Sequence, residues 1–405
     1  MKVILNLLIW KRKMKRIGEL EKKYVLDVLD SGFRSSLGSV YMTKFEKEFS
    51  KKFQSKFSIS HVNGTATLHS VLEAIGVSVG DEVIVPPLTM SATSLAVLHS
   101  NATPVFVDVD EDSFVIDVTK IEEKITENTK AIITVALYGL SPDMDPIMSL
   151  ANKYNLVVIE DNAQAFLSYY KGRLVGTLGH AASFSFQSSK HLSAGEGGII
   201  TTNDENLALK IRKVTGLGYK NIGAKKARIS KDEIQHHSFE RHDFIGWNYR
   251  MSELNCAVAL AQTERVEELV SNRKKTGKIF ENAVKGFEWF MPQKIESDYE
   301  SSYWAFGCKL NTNHVTWDKF REVYLANGGD KYYGAWQLTY LEPLFRDRMF
   351  LQRSQFIKER YEQGLCPIAE SIQPKLKQFK TNYVNISESI KQAEILNDTL
   401  NYFDK

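Results

Sequence analysis

Lys190 stands in a sequence setting that suits a reactive amine. It follows the apolar run 184–186, is surrounded by small polar residues and precedes the glycine-rich stretch 195–198. This order fits an amine held at the edge of a sheet. Asp161 closely follows an earlier apolar run at 156–159. A lysine that can form a Schiff base and an upstream acid that can pair with a pyridinium nitrogen are what pyridoxal phosphate (PLP) requires of a protein.

Each of these residues also has an ordinary interpretation, as a surface lysine and a strand-ending aspartate. A third motif favours the chemical one. Gly64, Thr65 and Ala66 follow Asn63 and open a helix with regularly spaced apolar residues. A helix N-terminus offers free N–H groups and the positive end of the helix dipole, so this motif predicts a phosphate site. For the motif alone, the alternative is a simple N-cap by Asn63.

Two further polar residues have predicted roles at the cofactor. Gln164 could reach the phenolic oxygen of the ring, with a surface amide as the alternative. Ser185 could bond to the phosphate, with a buried strand serine as the alternative. Lys190 would hold the cofactor and then move a proton between the substrate carbon and the cofactor. Its amine must then be neutral part of the time, which a buried site near other cations favours.

The elements that position these residues form an α/β pattern. From residue 55 to 202, Val- and Ile-rich strands alternate with helices, which predicts a mostly parallel sheet covered on both faces. Ligands of such sheets bind beyond the carboxyl ends of the strands, where Asp161 falls. We predict a large PLP-binding domain at 1–270, with the N-terminal segment, and a small C-terminal domain at 271–405. The predicted strands are 83–85, 105–107, 131–135, 157–159, 183–186, 198–201 and 302–310, and the predicted helices include 145–153, 252–285, 316–327 and 385–403.

Composition narrows the function classes. The chain has 405 residues, 43% hydrophobic and 25% charged, with a formal net charge of +3. That small charge predicts neither a nucleic-acid nor a membrane partner. Three widely spaced cysteines favour a reducing, cytoplasmic location. We also expect no metal site. The apolar segment 3–10 is too short to span a bilayer, so we expect it to pack on the body or on a partner subunit, with a membrane-surface contact as the alternative.

Residues 25–260 resemble the DegT/StrS family of PLP-dependent sugar aminotransferases, which have the fold type I of aspartate aminotransferase. The resemblance implies a seven-stranded, mostly parallel sheet and a smaller α+β C-terminal domain. It also implies an amino donor, glutamate or glutamine, and a ketosugar acceptor, most often nucleotide-linked, in amino-sugar biosynthesis for a surface polysaccharide or a secondary metabolite. The motifs that carry it are 31–32, 80–86, 104–108, 160–165, 184–190, 195–198 and 248–253.

The same resemblance assigns further residues. Asn248 would come from the neighbouring subunit and touch the cofactor phosphate, so the active unit would be a homodimer with shared sites. Met90 stands where an aromatic residue usually stacks on the cofactor ring. His191 and Arg250 are candidate substrate contacts, with a packed imidazole and a surface salt bridge as alternatives. Tyr303 and Trp304 belong to a C-terminal aromatic set that could stack on a sugar or a base, with core packing as the alternative.

Three other functions stay open at this point. A dehydratase branch of the family has histidine at the position of Lys190, so the lysine argues against it. A regulatory protein of the same fold without turnover is a second alternative. The acceptor could also be a free or phosphorylated sugar or a cyclitol ketone. A basic loop could neutralise a diphosphate, although a solvated loop is equally consistent; its residues are Lys220, Lys225, Lys226 and Arg228.

Overall fold

The computed structural model describes residues 15–33, 39–225, 235–352 and 354–404. The apolar segment 3–10 and two residues of the basic loop, Lys226 and Arg228, lie outside the described residues. Within the described ranges, no helix is both long enough and apolar enough to cross a membrane.

Helices and strands alternate along the first half of the chain. The helices are α1 (Glu19–Asp30), α2 (Val40–Lys52), α3 (Gly64–Ala74), α4 (Ala92–His99), α5 (Met144–Tyr154), α6 (Glu205–Thr215), α7 (Glu253–Glu264), α8 (Val266–Ala283), α9 (Trp317–Ala326), α10 (Pro343–Arg346), α11 (Pro367–Ile372) and α12 (Ile386–Phe403). The strands are β1 (Phe57–His61), β2 (Glu82–Val85), β3 (Thr103–Phe106), β4 (Thr129–Val135), β5 (Val157–Asp161), β6 (Tyr169–Tyr170), β7 (Arg173–Leu174), β8 (Ala181–Ser185), β9 (Gly198–Thr202), β10 (Phe290–Pro292), β11 (Tyr299–Glu300), β12 (Ala305–Leu310), β13 (Tyr333–Gly334) and β14 (Leu376–Lys380).

In the part of the chain that the structure describes, seven strands form the central sheet. Their order is β1-β9-β8-β5-β4-β2-β3. The pairs from β3 to β8 are parallel, whereas β9 runs antiparallel between β8 and β1. This confirms the predicted α/β fold with a mostly parallel sheet. The carboxyl ends of β5 and β8 therefore meet at one edge of the sheet.

The short Val and Ile runs form this sheet because helices cover both of its faces. Ile84 packs with Ile132 and Val158 in one apolar cluster, while its neighbours Val83 and Val85 pack in another. All three residues of this strand are fully buried. Alternate side chains thus enter two cores, as expected for parallel strands.

Two sequence predictions for the C-terminal half are wrong in detail. The single helix at 252–285 is two helices, because α7 ends at Glu264 and α8 begins at Val266. Arg265 leaves the helical conformation between them (φ −105°, ψ 12°), and its guanidinium pairs with the buried Glu21 at 2.7 Å. The strand predicted at 302–310 begins only at Ala305, since the preceding residues bond instead to the loop after β4.

Among the described residues after 284, a second, antiparallel sheet has the order β10-β12-β14-β13. It packs with α8, α9 and α12 around Phe306, Phe320 and Phe379. Later segments return to the main core, where Phe345 and Tyr361 contact Phe106 of β3. The predicted division at residue 270 falls inside α8 and remains a prediction.

Candidate active site

The central sheet brings Asp161 and Lys190 to the same edge. Asp161 is the last residue of β5, and it lies beside Ser183 in the parallel pairing with β8. Strand β8 ends at Ser185, and the following turn carries Lys190, whose N–H donates to the carbonyl of Gln187 at 2.9 Å. Both reactive groups thus stand where a sheet of this kind binds its ligands.

Asp161 is a buried carboxylate, only 6% exposed. Burial raises its pKa, and three neighbours oppose this: the Thr93 hydroxyl, the Ala163 N–H and the charge of Lys190. Thr93 Oγ1 donates to Oδ2 at 2.9 Å, and the Ala163 N–H donates to Oδ1 at 3.2 Å. A carboxylate held this way favours a cationic partner such as a protonated pyridine nitrogen.

Lys190 has an environment that makes its amine partly neutral. The pKa of the amine falls from 10.5 to about 8, chiefly because of burial; Asp161 acts in the opposite direction, and the charge of Arg273 contributes to the lowering. Its Nζ lies 4.8 Å from the centroid of the Trp304 ring. An amine with this pKa is available both as a nucleophile and as a proton carrier near neutral pH.

The predicted phosphate site is built on the first turn of α3. The Asn63 side chain caps this helix by accepting from the Ala66 N–H at 2.8 Å, so the N-cap interpretation is correct for Asn63. The amides of Gly64 and Thr65 precede it at the open end of the helix. A Cβ on Gly64 would lie only 3.0 Å from Cβ of Ser185, so glycine lets the serine hydroxyl approach these amides.

A cavity of about 320 Å³, a volume that includes open solvent, reaches Trp304, the residue whose ring lies against the Lys190 amine. Met90 and Gln164 line it together with Trp304 and Trp336. Gln164 is buried, and its Oε1 accepts from the Tyr138 N–H at 2.8 Å. This bond orients the amide, so its NH₂ end is the one left to donate to an acceptor such as a phenolic oxygen. The donors, the carboxylate and the amine suit PLP, with phosphate at α3 and the ring nitrogen at Asp161.

Two of the predicted substrate contacts are buried, and their role at the substrate remains a prediction. His191 is 2% exposed, packs against Phe166 and bonds through Nε2 to the Ser302 carbonyl at 3.0 Å. This geometry favours the packed-imidazole interpretation. The Tyr303 ring is 5% exposed, and its hydroxyl donates to Glu281. Among the two adjacent aromatic residues, only Trp304 lines the 320 Å³ cavity.

Asn248 and Arg250 lie on the segment before α7. The N–H of Val62, next to the phosphate motif, donates to the Tyr249 carbonyl at 2.8 Å and ties this segment to the sheet edge. The Asn248 side chain is exposed. Arg250 has buried Nε and Nη1 atoms without a hydrogen-bond partner in the described residues. These nitrogens are free to bind a carboxylate, which fits the substrate-contact prediction better than a salt bridge.

Sequence reasoning missed several residues of this site. Thr93 holds Asp161, and Arg273 of α8 donates through Nη2 to the carbonyls of Ser189 and Lys190, at 3.1 and 3.0 Å. Gln378 of β14 also lines the cavity. Thr93 lies on the same short segment as Met90, so a hydroxyl near the cofactor motif was a usable signal. Arg273 and Gln378 belong to distant elements, and no local pattern marks them.

Comparisons with known proteins agree with this geometry. The model of the DegT/DnrJ/EryC1/StrS aminotransferase family matches residues 15–374. GDP-perosamine synthase of Escherichia coli O157:H7 is 39% identical over 72% of this chain and 75% of its own. A putative L-glutamine:3-amino-2,3-dideoxy-scyllo-inosose aminotransferase of Streptoalloteichus tenebrarius is 31% identical, over 87% of this chain and 83% of its own.

A solved structure shows the same fold over nearly the whole chain. The aminotransferase from Psychrobacter cryohalolentis superposes with a TM-score of 0.85 at 28% identity, covering 97% of this chain and 100% of its own. The fold, the lysine–aspartate pair and the family match lead to one assignment. The chain belongs to the DegT/DnrJ/EryC1/StrS aminotransferase family and is a PLP-dependent aminotransferase.

Proposed function

We propose that this enzyme transfers an amino group from L-glutamate or L-glutamine to the keto group of a nucleotide-linked sugar. The observation that carries the proposal is that Lys190, an amine with a pKa of about 8, and the buried Asp161 lie at one edge of the sheet, near an open cavity lined by Gln164 and Trp304. The name of the Escherichia coli relative, GDP-perosamine synthase, supports a nucleotide-linked product.

The cofactor would be held from three sides. The amides of Gly64 and Thr65 and the Ser185 hydroxyl would bind its phosphate. The Ala66 N–H already donates to Asn63, so Ala66 would contribute only through the positive end of the helix dipole. Asp161 would pair with its ring nitrogen. When bound, PLP supplies a carbonyl that captures the donor amine and a protonated ring that withdraws electrons from the reacting carbon.

Gln164 and Met90 would complete the cofactor site. The NH₂ group of Gln164 would donate to the phenolic oxygen, because its Oε1 is occupied by Tyr138. Met90 lines the cavity and is 44% exposed, so its thioether can pack on one face of the ring without aromatic stacking.

Lys190 would act as the proton carrier once its amine is released. Its Nζ lies over the Trp304 ring, and the charge of Asp161 acts on it. Burial keeps the amine from being permanently protonated, and Asp161 and the indole ring stabilise the cation when it forms. A group that is stable in both protonation states can accept a proton from one carbon and deliver it to another.

The exposed position of Asn248 supports a shared site in a homodimer. Its side chain points to solvent, and nearby apolar residues are exposed as well: Ile245 by 82% and Trp247 by 40%. Exposed apolar groups beside a polar contact residue are typical of a subunit interface. The partner subunit would cover this surface, and Asn248 would reach the phosphate of the partner's cofactor.

The acceptor would enter between Trp304 and Trp336, which both line the cavity. Indole rings can stack on a sugar or a base. Arg250, with two unpartnered nitrogens, would bind the carboxylate of the amino donor. A second candidate acceptor is a cyclitol ketone, because the Streptoalloteichus relative is named for an inosose and matches a larger share of this chain.

The test is spectroscopic. The purified protein with PLP is expected to show a visible absorbance band that L-glutamate or L-glutamine converts to a near-ultraviolet band. GDP-linked 4-keto hexose and scyllo-inosose are then added separately to the converted enzyme. Return of the visible band with the nucleotide sugar alone supports the proposal, and return with inosose alone supports the second candidate. No conversion by either amino donor would refute the proposed donor.

A further inference from the structure

A second cavity lies behind Lys190, and its walls are cationic. It is a partly open cavity of about 300 Å³, a volume that includes open solvent. No carboxylate of the described residues lines it, and its polar wall consists of Arg16, His191, Asn272, Arg273, Asn382 and Tyr383. The cofactor site described above lies around the side chain of Lys190, whereas this cavity adjoins residues that bind its backbone.

Arg16 and Arg273 converge on one oxygen atom. Each donates through Nη2 to the carbonyl of Lys190 at 3.0 Å. Arg273 also donates through Nη1 to the Trp304 carbonyl at 2.7 Å, so its terminal nitrogens are committed to oxygens. Arg16 makes a single such bond within the described residues, which leaves its Nη1 and Nε for a ligand.

The two guanidinium charges have no counter-ion in the described part of the chain. Neither group forms an ion pair there, and the charge of Arg16 adds to burial in lowering the pKa of Arg273, to about 9. Burying like charges side by side is costly unless an anion compensates them. The arrangement therefore favours an anionic ligand from solution.

His191 adds a requirement of the opposite kind. Its Nε2 bonds to the Ser302 carbonyl, an acceptor, so Nε2 carries the hydrogen of the neutral ring. Nδ1 is then an acceptor; it is buried and has no partner in the described residues. Burial and the charge of Arg273 keep the pKa of this imidazole well below its usual value, which favours the neutral ring. A ligand that satisfies the wall must accept from Arg16 and donate to His191.

We propose that this cavity binds a small monovalent oxyanion that carries a proton, of which bicarbonate is the smallest common example. Its oxygens accept from Arg16 beside the charge of Arg273, and its hydroxyl donates to His191 Nδ1. Bound there, it links Arg16, at the approach to α1, to the turn that carries Lys190. A halide offers the charge without the hydroxyl, and water offers the hydroxyl without the charge.

The experiment uses the PLP-loaded enzyme, so that neither Lys190 nor the phosphate site competes for the probe. Thermal unfolding is followed in sodium bicarbonate and in sodium chloride at equal ionic strength and equal pH. Bicarbonate is expected to raise the unfolding midpoint by about 2 °C relative to chloride, the size of shift that a moderate excess of ligand produces in a chain of this length.

Arg16→Met is the main variant, because Arg16 is less buried than Arg273 and makes fewer bonds to the fold. It is expected to abolish the difference between the two anions. Arg346→Met removes an exposed arginine paired with Asp347 and serves as the matched control that retains it. An equal midpoint in both salts, or a bicarbonate effect that survives in Arg16→Met, would overturn the proposal.

A crystal structure in bicarbonate gives an independent answer if the variant does not fold. Planar three-oxygen density between Arg16 and His191 is the expected result. A spherical water or chloride peak there would refute the oxyanion assignment.

Discussion

The Lys190 amine lies over the face of the Trp304 ring, with Nζ 4.8 Å from the ring centroid. Trp304 reaches this position because its own N–H donates to the Tyr138 carbonyl at 2.9 Å, and its indole N–H donates to the Ser189 carbonyl at 2.9 Å. A residue at the start of the C-terminal sheet thus forms one wall of the pocket around the reactive amine. The ring can stabilise the cation when it forms, while burial is the main cause that lowers the pKa of the lysine to about 8.

This pKa predicts how the apoenzyme captures PLP. Only the neutral amine attacks the cofactor aldehyde, so the second-order rate constant is expected to rise with pH and level off above about 8. Stopped-flow absorbance from pH 6 to 10 measures it. A rate that keeps rising to the usual lysine pKa of 10.5 would show that the pocket does not depress the pKa.

The same shift has a consequence for stability. Between about 8 and 10.5 the unfolded chain still binds the lysine proton, whereas the folded apoenzyme has released it. The unfolded state then holds more protons, so the contribution of Lys190 to the free energy of unfolding rises with pH across this window. Below about 8 both states are protonated, and the full cost of burying the charge remains.

Removal of the amine tests the central assignment. Lys190→Ala is expected to lose the visible absorbance band of lysine-bound PLP and to lower turnover by at least about 10³-fold, since nucleophile and proton carrier disappear together. The spectrum and a transamination assay with glutamate measure the two effects. A variant that transaminates at the parent rate would show that another residue does the chemistry.

Thr93 offers a test of how Asp161 is held. Thr93→Val removes a hydrogen bond to a buried carboxylate, which is worth about 1.5–3 kcal/mol. The pKa of Asp161 is expected to rise further, and the affinity for PLP to fall about tenfold or more, because a protonated acid cannot pair with a pyridinium. Equilibrium dialysis against PLP gives the affinity. Thr93→Ser keeps the hydroxyl and is the control; equal loss in both variants would point to packing instead.

Met90 predicts a gain rather than a loss. Met90→Phe places an aromatic ring where the thioether now lines the cavity, and aromatic stacking is worth about 0.5–1.5 kcal/mol beyond area burial. Binding of PLP to the apoenzyme is therefore expected to tighten about two- to tenfold. Met90→Ala, which removes both kinds of contact, is expected to weaken it. If both variants bind PLP as tightly as the parent, residue 90 does not touch the cofactor.

The sequence predicted the sheet and its reactive edge well, for a physical reason. Strands such as Val83–Val85 and helices such as α3 have their signal in adjacent residues, and Asp161 and Lys190 each follow such a run. The break at Arg265 carries no such signal, because it depends on a contact with Glu21 far away in the sequence.

Local sequence patterns likewise could not predict the residues that support the site from distant elements. Arg273 belongs to a helix rich in charged residues, a composition typical of a solvent-exposed helix. Its side chain is nevertheless only 4% exposed and donates to the turn that carries Lys190. Its role exists only once α8 packs against the turn after β8. His191 shows the converse. A histidine beside the candidate cofactor lysine suggests chemistry, yet its ring is buried and packs against Phe166.

Asn248 decides whether two subunits share each site. If its amide donates to the phosphate of the partner's cofactor, Asn248→Ala loses a bond to a charged group worth about 1.5–3 kcal/mol, and PLP retention falls about 10- to 100-fold. Light scattering establishes whether the parent and the variant are dimers. A fully active monomer would refute the shared site.

Mixing Lys190→Ala with Asn248→Ala, at a PLP concentration that leaves Asn248→Ala largely unloaded, gives the sharper test. If sites are shared, each site takes Lys190 from one subunit and Asn248 from the other. A hybrid of Lys190→Ala and Asn248→Ala subunits then has both defects in one site, and its other site is intact. Random exchange then restores roughly a quarter of the parent activity per subunit, because half of the dimers are hybrids with one working site each. If each subunit supplies its own Asn248, every hybrid contains only damaged sites, and activity stays at the mean of the two separate variants.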